Sequence, residues 1–202
     1  NQLIQGQSYF DPEKAADHVS SIAASLNGYL EQIDKAFDLK RGEKVSTAFP
    51  DSNAPKSKSR RRFAEQFVVD VGKKNEEYRG MPAAYRLITT DRADQFQLRE
   101  SIWEFAILEN PVLDQPVTGE GKPDRLSVDE REWILDYIRK HVPEEVYTFT
   151  VLLQAIRDGA NTPGDLDRYL ARNIRGGDSI SDSYLSSQRS GALARMTDLS
   201  LM

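Results

Sequence analysis

The chain contains no cysteine among its 202 residues, so disulfides, thiolate metal sites and thiol nucleophiles are all excluded. It has only two histidines, His18 and His141, far apart and without the neighbours that a zinc site or a catalytic triad requires. His18 lies in the middle of an expected helix. His141 lies near a helix C-terminus, where it can face carbonyl groups, and both read as structural. No apolar run approaches the roughly 20 residues that span a bilayer. No charged-then-apolar leader opens the chain, and with the absent cysteines this makes a cytoplasmic location the expectation. Positive charge is not in excess either. Lys and Arg number 27 against 32 Asp and Glu, a net charge of -5, so indiscriminate coating of nucleic acid or acidic membrane is not expected. Any polyanion site must be a local basic patch.

Catalytic patterns are also thin. Asp114 with Glu120-Gly121-Lys122 imitates a nuclease arrangement in which carboxylates hold Mg²⁺ beside a lysine, but that chemistry needs the groups on adjacent strands. Here they fall in a Pro/Gly-rich loop with Pro123 directly after the lysine, and solvated loop charges are expected. Gly121-Lys122 is not a phosphate-binding P-loop, because Pro123 stands where Ser or Thr is needed and Pro116 where the earlier glycine is needed. No catalytic residue, metal or cofactor is assigned, and an enzymatic reading would require a catalytic domain outside these residues.

The chain does carry clear helix punctuation. Asp11-Pro12-Glu13 is a start signal, followed by Val19, Ile22, Leu26, Tyr29, Ile33 and Phe37 at spacings of three or four. This Val19–Phe37 seam should be more than half buried, against the chain's own core or against a second copy in a homodimer. A polar loop with Pro50 and Pro55 leads to Lys56, Lys58, Arg60, Arg61 and Arg62, five cations in seven residues, which open a short helix to about Gln66. The run FVVDV, a turn at Gly72-Lys73-Lys74, and AAYRLITT then read as a β-hairpin. From residue 56 to 79, eight positive and four negative charges leave +4; Lys73, Lys74 and Arg79 on the hairpin favour phosphate contact by the run, with Lys73 and Lys74 joining it as candidates and Arg79 a supporting charge. As a solvated loop the same run needs no function; an import signal is a third reading. Residues 93 to 108 predict a helix apolar on most of its circumference, a central strut that stops before Pro111. The expected organisation is a domain over 1–110, a Pro/Gly-rich linker over 111–126, and a helical domain over 127–202.

The helical domain opens on a capping box, Ser127 with Glu130, and the helix runs to before Pro143. Three shorter helices are expected over 148–158, 163–173 and 183–199, a trihelical skeleton of helix-turn-helix type. In the last helix Leu185, Ala192, Leu193, Met196 and Leu199 share a face, and Ser187, Ser190, Gly191 and Ala194 lie opposite. Small residues on an outer face admit close approach by a duplex groove or by another helix. From 168 to 195 five arginines face two aspartates, a local +3. Gln188, Arg189 and Arg195 are types that reach base edges, and Ser187 is a type that holds phosphate. The alternative is that this helix packs on protein.

The ending LARMTDLSLM resembles the close of recognition helices in prokaryotic winged-helix domains, and YRLITTDRADQF is similar to a second wing strand with its turn. Arg92 or Ala93 stands where such domains often carry glycine. Together the arrangement, over residues 57–100 and 127–202, resembles the tandem winged-helix DNA-recognition regions of some prokaryotic restriction endonucleases and related defence proteins. That resemblance implies a mostly α fold with a small β-hairpin wing, two winged-helix or helix-turn-helix units, and duplex DNA as partner. The second wing is not found before Met202, so the expectation is either a fragment of a longer protein or a tail that was not captured. The alternative is an adaptor that uses the same fold to dock other protein subunits.

Overall fold

A computed structural model describes residues 10–50, 58–71, 78–90, 95–114, 124–174 and 180–202. The chain is mostly helical, with two small antiparallel ladders, and divides into two compact units, 1–125 and 126–202.

In the first unit α1 (Pro12–Ala36) starts where its sequence says it should: Asp11 accepts from the Lys14 amide, and Pro12 occupies the first turn. Its buried line is Ser20, Ala23, Ala24, Asn27, Leu30 and Ile33, with Asp34 beside it. This line is rotated by about one residue from the expected seam. Ile33 is shared, but Val19 is 38% exposed and Ile22 47% exposed. Small residues face inward because α2 (Lys58–Phe67) packs closely against α1. The buried Asp34 carboxylate closes the helix end by accepting from the Val45 and Ser46 amides and the Ser46 hydroxyl, which fixes a short 3₁₀ turn at Ser46–Ala48.

The expected single hairpin is replaced by two ladders. Strand β1 (Asp70–Val71) pairs with β2 (Tyr78–Arg79), and β3 (Ile88–Thr90) pairs with β4 (Phe96–Leu98). Pro82 explains the difference. It sits in the first turn of a short helix, α3 (Met81–Ala84), which interrupts the second apolar run after a Gly80 with φ +98°. The long helix expected over 93–108 is likewise cut. Phe96-Gln97-Leu98 alternates with the period of a strand, and Phe96 also bridges to Phe10 through paired backbone bonds of 2.8 and 3.1 Å. What remains is α4 (Ser101–Ala106), which contains no buried residue, with Ile107 after it 82% exposed. It is no central strut. Among the described residues Val68, Val69, Ile88 and Phe96 form one buried cluster, and Leu30, Ile33 and Val112 form another. Val112 shows that the start of the expected linker belongs to the first unit, and the Tyr29 hydroxyl donates to its carbonyl at 3.2 Å.

In the second unit the capping box of Ser127 and Glu130 opens α5 (Val128–His141). Then come α6 (Pro143–Arg157), α7 (Pro163–Asn173) and α8 (Asp182–Asp198). Helix α6 begins five residues earlier than expected, because Pro143 at its start is followed by Glu144 and Glu145, which suit the positive end of a helix. Gly159 stops it in a left-handed turn, where the Ala160 and Gly159 amides donate back to the carbonyls of Ala155 and Ile156. Helices α6, α7 and α8 pack mutually around Leu152, Ala155, Leu170, Ala192 and Met196.

Candidate nucleic-acid interface

Helix α2 is amphipathic by construction. Phe63 and Phe67, one turn apart with ring centroids 5.2 Å from each other, lie on one side, and Phe63 meets Phe49 at 5.9 Å. Phe63 packs half-buried against the Val68 core while Phe67 remains exposed, and Lys58, Arg61 and Arg62 are exposed. Arg61 is 82% exposed at its side chain and pairs with Glu65 one turn on at 3.0 Å. Arg60 is half-buried, with its Nε atom sealed from solvent. The first turn of α2 contains no acidic residue. Cations at a helix N-terminus oppose the helix dipole, each at about 0.3–1 kcal/mol, so this arrangement favours an anion nearby.

Exposed Arg79, at the end of β2, lies by the C-terminal end of α2, away from the cationic first turns. Next to it Gly80 lies so close to the last turn of α2 that a Cβ there would stand 2.7 Å from the Glu65 carbonyl oxygen. Sequence reasoning counted Arg79 only as a supporting charge. Lys56, Lys73 and Lys74 lie outside the described residues.

Helix α8 is arranged differently from its expectation. Ser187, Gln188, Ser190 and Ala194 are exposed, as the small-residue face requires, and Gly191 is half-buried. The Ser187 hydroxyl donates to the Ser183 carbonyl of its own helix at 2.9 Å. Arg189 is a correction. It is 8% exposed and turned inward, donating to Asp167 at 2.5 Å, to the Pro163 carbonyl at 2.8 Å and to the Ser186 hydroxyl at 3.1 Å. It fastens α8 to the beginning of α7 and has no reach towards a groove. Arg195 is half-buried and ion-paired to buried Glu145 on α6. Asp167 and Glu145 were not anticipated, because their partners lie 22 and 50 residues away and only the packing of the helices brings them together. From 126 to 202 nine Lys and Arg stand against twelve Asp and Glu, so the local +3 around α8 is outweighed within its own unit.

The carboxylates with displaced acidity are structural. Asp165 lies below the ordinary carboxylate range because the Thr162 hydroxyl and Arg168 donate to it at the start of α7. Asp158 is lowered by donors from Gln154 and Tyr169, and the same bond raises the Tyr169 phenol. Among the described residues no group of three or more His, Asp and Glu could hold a metal ion. Asp114 accepts from the Asn110 amide at 2.7 Å, a turn contact, while Glu120 and Lys122 fall outside the described residues. His18 and His141 are both exposed, and the His141 ring lies 4.6 Å from that of Tyr137. No helix among the described residues is long and apolar enough to cross a membrane. Comparison of the chain with protein-family models, with curated proteins and with solved structures returned no match.

Proposed function

We propose that the chain is a duplex DNA-binding module that grips phosphates through the first unit, as part of a larger prokaryotic protein. The observation that carries this reading is the outward display of Lys58, Arg61 and Arg62 in the first two turns of α2, without an acidic residue in the first turn. Such contacts are sequence-independent and strongly salt-dependent. On α8 only Ser187 and Gln188 of the four expected groove residues remain on the open face, so base readout by this helix is at most slight. The test is duplex binding by fluorescence anisotropy over a salt series. Arg61→Ala with Arg62→Ala should weaken binding to every duplex alike and reduce the slope of log K against log salt by about 0.9 for each phosphate no longer neutralised. Absence of affinity at about 50 mM salt, or an unchanged slope, refutes it.

A second reading is favoured by α8 itself. Its open face carries Ser187, Gln188 and Ala194 with both nearby arginines engaged inside the unit, which suits close packing against a helix of another subunit. Ala194→Arg would then release that subunit and leave the salt slope of DNA binding untouched.

A further inference from the structure

We propose that the two units swivel about a one-residue hinge at Leu126, because the segment expected as a linker is clasped at both ends onto the first unit. The clasp centres on half-buried Asn110. Its side-chain oxygen accepts from the Val112 and Leu113 amides, both at 3.0 Å, and its backbone amide donates to Asp114 at 2.7 Å. These bonds turn the chain where the segment begins, and buried Val112 is held there by the Tyr29 hydroxyl. The Asn110 side-chain amide also donates to the Arg125 carbonyl at 3.0 Å, across 15 residues of sequence. Arg125 in turn reaches the loop after α1, donating through Nη2 to the Gly42 and Glu43 carbonyls at 3.4 and 3.3 Å. The segment therefore departs and returns at one asparagine, and its length does not separate the units.

The second unit begins almost at once. Ser127 is the N-cap of α5, its amide donating to the Glu130 carboxylate at 2.7 Å and its hydroxyl accepting from the Glu130 amide at 3.1 Å. Arg125 and Ser127 are each fastened inside their own unit, and Leu126 alone stands between them. One residue reaches about 3.5 Å. A free chain from 115 to 126 would instead span roughly 17–21 Å root-mean-square. With the clasp closed, the units reorient through the backbone dihedrals of residues 125–127 without moving apart, as a hinge of a few element-terminal residues allows. Opening it converts the hinge into a tether and dilutes each unit in the neighbourhood of the other.

Because the chain has no cysteine, spin labels at Ser25→Cys and Thr150→Cys, exposed positions in the first and second unit, report the separation by pulsed electron resonance without nucleic acid. Inserting a Gly/Ser stretch of about eight residues between Thr118 and Gly119 should leave the distance distribution unchanged while the clasp is intact, although it would lengthen a free linker. Asn110→Ala with Arg125→Ala should broaden the distribution by on the order of 10 Å, the scale of the freed chain, and the same insertion should then broaden it further. Should that double variant lose the fold of the first unit, Arg125→Ala alone, at an exposed side chain, takes its place with the same two outcomes. A distribution that the insertion widens with the clasp intact overturns the proposal, as does one that the clasp variants leave as in wild type. None of these changes touches α2, so the outcome is independent of the DNA reading.

Discussion

Replacing Arg189 by alanine separates a fastening role from a reading role. The side chain is 10% exposed and its partner Asp167 26% exposed, with a 2.5 Å contact between them and a further 2.8 Å bond to the Pro163 carbonyl. A hydrogen bond to a charged group contributes about 1.5–3 kcal/mol. Breaking a fully buried pair costs about 3–5 kcal/mol, and the partial exposure of Asp167 keeps this pair below that limit. The expected loss is therefore about 2–3 kcal/mol, carried mostly by the stranded carboxylate and the unsatisfied carbonyl. For a unit of this size each kcal/mol lowers the melting temperature by about 4–8 °C, so Arg189→Ala should lower the transition of the second unit by about 10–20 °C. Thermal unfolding followed by circular dichroism measures it. Asp167→Ala and the double variant complete a cycle in which coupling should reach about 1–2 kcal/mol, because the double variant strands no charge. A shift of only a degree or two, or strictly additive losses, would refute the fastening. If Arg189→Ala instead leaves melting intact and lowers discrimination between DNA sequences, the arginine is a groove contact after all.

Gly80→Ala should destabilise the first unit by at least about 1–3 kcal/mol, because its φ of +98° suits glycine and the new Cβ would meet the Glu65 carbonyl oxygen at 2.7 Å; denaturant unfolding within error of wild type would contradict this. Ser200 holds φ +56° in the turn that ends α8, where the Leu201 amide donates to the Met196 carbonyl. Removing a left-handed cost of about 1–2 kcal/mol, set against about 0.4–1 kcal/mol of extra freedom in the unfolded chain, should make Ser200→Gly stabilising by roughly 0.5 kcal/mol. The Asp158–Tyr169 bond stabilises the fold above the unfolded carboxylate pKa and is lost as pH falls through the lowered folded value. At the alkaline end it is present below the unfolded phenol pKa and lost as pH rises through the raised one. Tyr169→Phe should therefore flatten the dependence of melting temperature on pH at both extremes, and a profile parallel to wild type would count against the bond.

Several elements were determined by residues close together in the chain. The starts of α1, α5 and α7 follow from Asp11-Pro12, Ser127 with Glu130, and Thr162-Pro163 with Asp165, because a cap needs only a side chain within three residues of the amide it satisfies. The stop at Gly159 and the inward set Leu185, Ala192, Met196 and Leu199 were legible for the same reason. The cationic opening of α2 was legible as five cations in seven residues, and Lys58, Arg61 and Arg62 are exposed. Tertiary structure decided the rest. Which edge of α1 faces inward depended on how closely α2 approaches, and small residues won over Val19 and Ile22. Whether residues 96–98 form a helix or a strand depended on distant partners at Phe10 and Ile88–Thr90. Above all, Arg189 and Arg195 carry the same formal charge in the sequence as Arg61 and Arg62. Only the packing of α6, α7 and α8 supplies Asp167 and Glu145 and so converts two candidate contacts into internal ion pairs. Charge belongs to the residue, but its availability to a partner is a property of the neighbours that folding brings to it.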